Sequence, residues 1–358
     1  MTRFPLHLAV ALFLAVNFVT PALAQRTPPP WQAMNEEAFE LFLAGKYDKA
    51  IELSKKAFEM TEHSPNPGNP GAVVALNRIA DCYRLEARFA LAEPYYERAM
   101  GIVEKSYGPE HRLMGLLATN FGMLRLAQGR LPEAEAMLNR SLAIRERDSA
   151  EAYSMALTLS GLARLYTVRG QTVQAEAALK RALAVSEKAR GLEHPEVARG
   201  LINLGAFYNQ QRRFGEAEAA YKRSLAIWEK VYGVNHPQAS IAMNGLGTVY
   251  RDQERYDEAM ALYKLAIAVV ENTLDRGHPG MAESLAGAAS INALQDEYDG
   301  AEALYERALE IREATLGPNH PETIHTMEAL AEVYYKLKQP AKAEKLEARA
   351  LDLRTRKL

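Results

Sequence analysis

Four His-Pro pairs stand 42 residues apart, at His194-Pro195, His236-Pro237, His278-Pro279 and His320-Pro321. Histidine is the commonest metal ligand and the usual general base near neutral pH, so a regular set suits metal sites or a row of catalytic bases. Carboxylates, which such chemistry also recruits, are abundant in runs such as "EAEA" at residues 216–219. Which elements carry these residues, and how far apart those elements must lie, decides between chemistry and architecture.

The 42-residue period belongs to the whole chain. An alanine recurs at Ala50, Ala92, Ala134, Ala175, Ala217, Ala259, Ala301 and Ala343, with one interval shortened to 41 between Ala134 and Ala175. Each unit carries two helical patterns. Around Ala217, the residues Leu201, Leu204 and Tyr208 recur at three- and four-residue intervals, as on one face of a first helix. A polar turn, "NQQRRF", follows. Then Ala217, Tyr221, Ser224, Leu225 and Trp228 mark one face of a second helix. Gly205 and Ala217 lack bulk, so the two backbones can approach closely, while Tyr208 and Tyr221 fill the space beside them. Tyrosine recurs at Tyr83, Tyr166, Tyr250 and Tyr334 on first helices and at Tyr95, Tyr263 and Tyr305 on second helices. At such spacing an aromatic is core. Two units depart from the pattern. The fourth has "DSAEAYSMA" in place of His-Pro, and the seventh, with Ala286, Ala288 and Ile291 in its first helix, lacks the leucine, glycine and tyrosine order of its neighbours, which predicts a loosely packed first helix.

Within this frame His-Pro reads as the start of each first helix. Proline needs no N–H partner in a first helical turn, and it pushes the preceding residue out of helical geometry. A glycine three residues before the histidine (Gly191, Gly233, Gly317, and Gly108 before His111) is placed to end the preceding helix in a left-handed turn. The same offset gives Pro28 and Pro70, preceded by Thr27 and Asn69, which are capping residues without metal chemistry. The proline persists where the histidine does not. Neighbouring helices pack about 8–10 Å apart, and equivalent positions in successive units are more than one such step apart. Nitrogens that share a zinc each lie only about 2.0–2.1 Å from it. The histidines are therefore expected to start helices rather than to share a metal. The chain also lacks G-x-S-x-G, H-E-x-x-H, a Walker loop and paired cysteines, so neither enzyme nor cofactor chemistry is expected.

The chain has 358 residues, net charge −2 and one cysteine. That charge balance offers no footprint for nucleic acid. "MTRFPLHLAVALFLAVNFVTPALAQ" has Arg3, an apolar stretch and Ala22-Leu23-Ala24, the order of a secretory signal over residues 1–24. An exported, periplasmic chain is expected, with no stable membrane insertion after cleavage. Cys82 lies in an apolar-periodic stretch, which predicts a buried, inert thiol.

The order Leu204-Gly205-x-x-Tyr208, then Ala217, Tyr221 and a small residue at Ser224, resembles the tetratricopeptide repeat, in phase over nearly all of residues 25–358. That family's usual unit has about 34 residues. The longer unit, with its "G-x-x-H-P" openings and "EAEAAYKRSLAIWEK" ends, is similar to the 42-residue subtype of kinesin light chains. The resemblance implies an all-α fold: a right-handed superhelical solenoid of antiparallel helix pairs, one domain over residues 25–358 with about eight repeats. It further implies a non-enzymatic scaffold gripping a protein or peptide against a concave wall of first helices. The alternative is a structural, self-associating part of an envelope assembly. The resemblance places Asn77, Arg78, Arg84, Asn120 and Arg164 on that wall, followed by Arg199, Asn203, Asn244 and Arg251. Asn120 and Asn203 take the place of an asparagine that grips a ligand backbone. The arginines point to an acidic segment in the partner, while Glu283, Glu328 and Glu332 face the groove in the last two repeats.

Overall fold

Each His-Pro pair opens a helix, and the histidine itself closes the helix end. A computed structural model of the chain describes residues 29–62, 69–147, 151–233, 235–273 and 277–355. The described residues form helix pairs, with no strand among them. The first four pairs are α1 (Pro30–Leu43) with α2 (Tyr47–Glu62), α3 (Pro70–Leu85) with α4 (Phe89–Tyr107), α5 (Arg112–Ala127) with α6 (Leu131–Arg145), and α7 (Ala152–Val168) with α8 (Thr172–Arg190). The next two are α9 (Pro195–Gln210) with α10 (Phe214–Tyr232) and α11 (Pro237–Asp252) with α12 (Tyr256–Thr273). The last two are α13 (Pro279–Leu294) with α14 (Tyr298–Thr315) and α15 (Pro321–Lys336) with α16 (Pro340–Thr355). The eight anchor alanines are all fully buried.

The N-caps show what the histidines do. Nδ1 of His111, His194, His236, His278 and His320 accepts the backbone N–H two residues on, at 3.1–3.3 Å. Asn69 does the same through Oδ1 at 2.8 Å from the Gly71 nitrogen. Each satisfies one of the orphan donors of a helix start. Two caps are also stacked on tyrosines of the preceding helix, His111 on Tyr107 and His236 on Tyr232, with centroids 4.5 and 4.4 Å apart. In the fourth repeat, which lacks the pair, the buried Arg145 reaches Glu151 at 2.6 Å instead. Thr27 and Pro28 lie outside the described residues, and α1 opens at Pro30. Before the caps, Gly108, Gly191 and Gly233 have φ of 85–89° but ψ of 165–166°. The expected positive φ is present, yet the residue goes beyond the left-handed helical well into a region only glycine occupies readily.

Between repeats the contacts are specific. The Tyr221 ring stands between Gly205 of its own repeat and Gly245 of the next. A Cβ on Gly205 would lie 2.9 Å from the ring, and one on Gly245 would overlap it. Tyr263 stands likewise between Gly247 and Gly287. The corresponding tyrosine of the second repeat is the fully buried Tyr96 rather than Tyr95. On first helices the tyrosines combine buried rings with polar reach. Tyr208 donates its hydroxyl to Glu176 of the preceding repeat at 3.3 Å and lies under the Arg213 guanidinium, 4.4 Å from its centroid. Arg213 in turn bridges Glu176 at 2.7 Å and Glu216 at 2.6 Å. Arg213, and Lys180 after it, hold the Glu176 carboxyl down to about 2. Arg255 repeats the bridge to Glu218 and Glu258 one repeat later. The second glutamate of "EAEA" thus joins repeats, where the sequence alone suggests a solvated face.

The seventh repeat is not loose, contrary to expectation. α13 packs against α14 as closely as the other pairs do. Ala288 and Ala289 are buried in its core, and Ile291 is fully buried. In α16, Glu347 stands where inner repeats place Tyr221 or Tyr263, and only Ala343 and Ala350 are buried. Such a helix presents a polar face to water, as terminal repeats do.

Candidate functional site

First helices of neighbouring repeats touch one another from α1 through α13, and among the described residues no second helices approach each other so closely. First helices therefore form the inner wall of the curve. All nine sequence-predicted groove residues lie on them, but in three different states.

In the second and third repeats the polar residues are turned on each other. The buried Asp81 accepts from Asn77 at 2.9 Å, Asn120 at 3.0 Å, Arg84 at 3.0 Å and the Tyr96 hydroxyl at 2.7 Å. Asn120 also donates to the Asn77 carbonyl oxygen at 2.9 Å. These bonds use the Asn120 amide that the resemblance assigns to a ligand backbone. Arg78 lies over Phe39 and Phe42 at 4.4 and 4.9 Å, and burial lowers the pKa of its guanidinium. Cys82, one residue beyond Asp81, is fully buried. Burial, with the Asp81 charge second, pushes its thiol up to about 12. Such a thiol is a poor nucleophile. In a thiol-reagent assay at about pH 8 it should react only on unfolding, so a fast reaction of the folded chain would contradict this burial.

In the fourth and fifth repeats the side chains are open. Arg164, Arg199 and Asn203 are exposed. Among the described residues neither arginine has an ion-pair partner, and Arg199 only lies over the Tyr153 ring at 5.4 Å. Asn203 makes one bond, to Ser160 at 3.3 Å. Beside Arg199, at the same offset from the anchor alanine, stand the exposed Leu157 and Ile241. Sequence reasoning passed over these two because each is embedded in a helical apolar pattern. Their shared offset, 18 residues before Ala175 and Ala259, was the available signal.

In the sixth repeat the residues are tied to α13. Asn244 is buried and accepts from Ser284 at 2.8 Å, while Arg251 bonds Asp252 at 2.8 Å. Between them and α15 the small residues Ala286, Gly287 and Ser290 leave a recess of about 180 Å³ over the Tyr263 and Tyr305 rings. Of the groove acids, Glu328 pairs with Arg354 at 2.8 Å, whereas Glu283 has no ion-pair partner among the described residues.

The tetratricopeptide repeat family matches residues 32–102, 72–147, 154–206, 196–272 and 280–356. No curated protein matches the chain. Among solved structures it is similar to BtubC (BKLC) from P. vanneervenii, at 24% identity and a TM-score of 0.50, over 66% of this chain and 94% of that one. It is also similar to a chain of the APC/C hetero-tetramer Cut9-Hcn1, at 16% identity and a TM-score of 0.56, over 89% of this chain and 52% of that one. A third is the apo form of RapI, at 13% identity and a TM-score of 0.55, over 79% of this chain and 97% of that one. At these identities the likeness is one of fold.

Proposed function

Because the chain belongs to the tetratricopeptide repeat family, whose fold is typical of protein–protein interaction scaffolds, we propose that it holds a protein or peptide segment against its inner wall, without catalysis, in the periplasm. The exported location rests on the signal-like order of residues 1–24, which lie outside the described residues. The observation that carries the binding surface is the open pair Arg164 and Arg199. They are exposed cations without carboxylate partners among the described residues, on the inner wall with the exposed Leu157 and Ile241. Elsewhere in the groove, Arg84 and Arg251 already face an aspartate. A partner that brings carboxylates and apolar side chains to the fourth and fifth repeats would satisfy both features.

Crosslinking in the native envelope from a photoreactive residue at Asn203 identifies the partner. Replacing Arg164 and Arg199 together by glutamate should then weaken its binding at least tenfold, about 1.4 kcal/mol, and flatten the dependence on salt. Unchanged affinity with unchanged salt dependence would remove the acidic segment from this reading. Arg84→Gln is the contrasting variant, expected to act on stability through Asp81 more than on the salt dependence of binding.

A further inference from the structure

The recess over α13 carries chemistry that the open arginines do not share. Its floor is the rings of Tyr263 and Tyr305, and its small walls come from Ala286, Gly287, Ser290 and Ala329. The volume, about 180 Å³, holds roughly six waters at their liquid density. That is the scale of a single amino acid, well below a drug-sized ligand. Two guanidiniums line it. Arg251 is held from outside by Asp252 at 2.8 Å, and its Nη1 makes only a 3.5 Å contact with Ser290. Arg312 is nine-tenths buried, held by the Thr326 hydroxyl and, at 3.5 Å, by Glu322. The Nε–H of Arg312 is buried and has no acceptor among the described residues. A buried donor without a partner costs free energy that a ligand oxygen would recover. Glu283 lines the same recess; it has no ion-pair partner among the described residues, and Asn244 hydrogen-bonds it.

We propose that this recess binds a small zwitterion, a free α-amino acid, with its carboxylate on the Arg251 and Arg312 guanidiniums and its ammonium on Glu283. The sign pattern argues against the simpler ligands. A dicarboxylate would bring a second negative charge to Glu283, and a simple amine would leave the Arg312 Nε–H unmatched. The tyrosine rings add faces that attract an ammonium. Glu283 keeps solvent-exposed surface yet stands deep in the curve, and desolvation there, with the nearby Glu322 second, raises the pKa of its carboxyl against the opposing pull of Arg312 and Asn244. A bound ammonium would lower it again. The site is separate from the partner surface of the fourth and fifth repeats, so either can fail without the other.

Titration calorimetry of the full chain with a panel of free neutral amino acids, up to about 10 mM, tests the proposal. At least one should bind. Its amide, which lacks the carboxylate, and its N-acetyl form, which lacks the ammonium, should each bind at least tenfold more weakly. Glu283→Gln and Arg251→Gln should each weaken binding at least tenfold. Ala286→Leu, which fills the recess with a side chain similar in size to Ile202 at that offset in the fifth repeat, should abolish it. Glu283→Gln changes an exposed residue, so it keeps the test informative if Ala286→Leu folds poorly. No binding by any of the panel overturns the proposal. So does equal binding of the amide and N-acetyl forms, or unchanged binding in Glu283→Gln.

Discussion

Gly245→Val should lower stability by about 3 kcal/mol or more, at the upper end of the cost of overpacking a filled site. The position looks innocuous in sequence, a glycine inside a helix. In the structure a Cβ there would enter the Tyr221 ring, which is buried and confined on its other side by α9 at Gly205. The ring has no free direction in which to retreat. Gly215→Ala, where an added Cβ meets nothing within 4 Å, is the control. It should stabilise by up to about 1 kcal/mol through helix propensity alone. Adding Tyr221→Leu to Gly245→Val should return part of the loss, because the two residues share one space. Urea unfolding reads all of these. If Gly245→Val is as stable as Gly215→Ala, Tyr221 does not hold the fifth and sixth repeats together. Because repeats are coupled only to their neighbours, the loss should also appear as local opening, with faster amide exchange in α10 and α11 than in α3 and α4.

Acidification from about pH 7.5 to about 5.5 should destabilise the chain through its capping histidines. Each Nδ1 accepts a backbone N–H, so a proton on that nitrogen turns an acceptor into a donor facing a donor. Burial, with Arg112 second, lowers the His111 pKa, and burial lowers that of His236. A free imidazole titrates near about 6.5, so below that pH the unfolded chain takes up protons before the fold does. Stability is therefore complete above about 6.5 and falls as pH drops toward the lowered folded values, which is the sign linkage requires. A lost cap costs about 0.5–2 kcal/mol, and the caps of α5 and α11, at His111 and His236, are the two that this titration loosens. The carboxylates held low by arginines, such as Glu176 at about 2, respond only at still more acid pH. The check is a chain with His111 and His236 replaced by asparagine, the residue type that already caps α3 at Asn69 without titrating. That variant should keep its urea midpoint across the range. An equal loss in both chains would assign the acid sensitivity to other groups.

The fold was legible because its unit is short and its signals repeat. The anchor alanines, the His-Pro starts and the terminating glycines each recur with one offset, and all eight alanines proved buried. The groove was legible only as a list of positions. Asn120, Arg84 and Arg164 all face the inner wall, yet Asp81 engages the first two and leaves the third open. Arg84 meets Asp81 within one helix, three residues away, but Asn120 reaches Asp81 across 39 residues of sequence. Periodicity describes one helix at a time and carries no record of such meetings. The departure noted in the seventh repeat was visible, but its consequence was misjudged. Small residues there do not loosen α13 against α14; they hollow the wall beside α15.

By itself, then, the sequence determined the repeat, the helix boundaries and the role of His-Pro, because each follows from backbone preferences acting within a few residues. Only the tertiary structure decided that Tyr221 needs two glycines from different repeats, that Arg164 and Arg199 are the open cations of the groove, and that Arg251, Glu283 and Arg312 share one recess. Those outcomes rest on distances between side chains of separate repeats, which are set by how closely small residues let the helices approach.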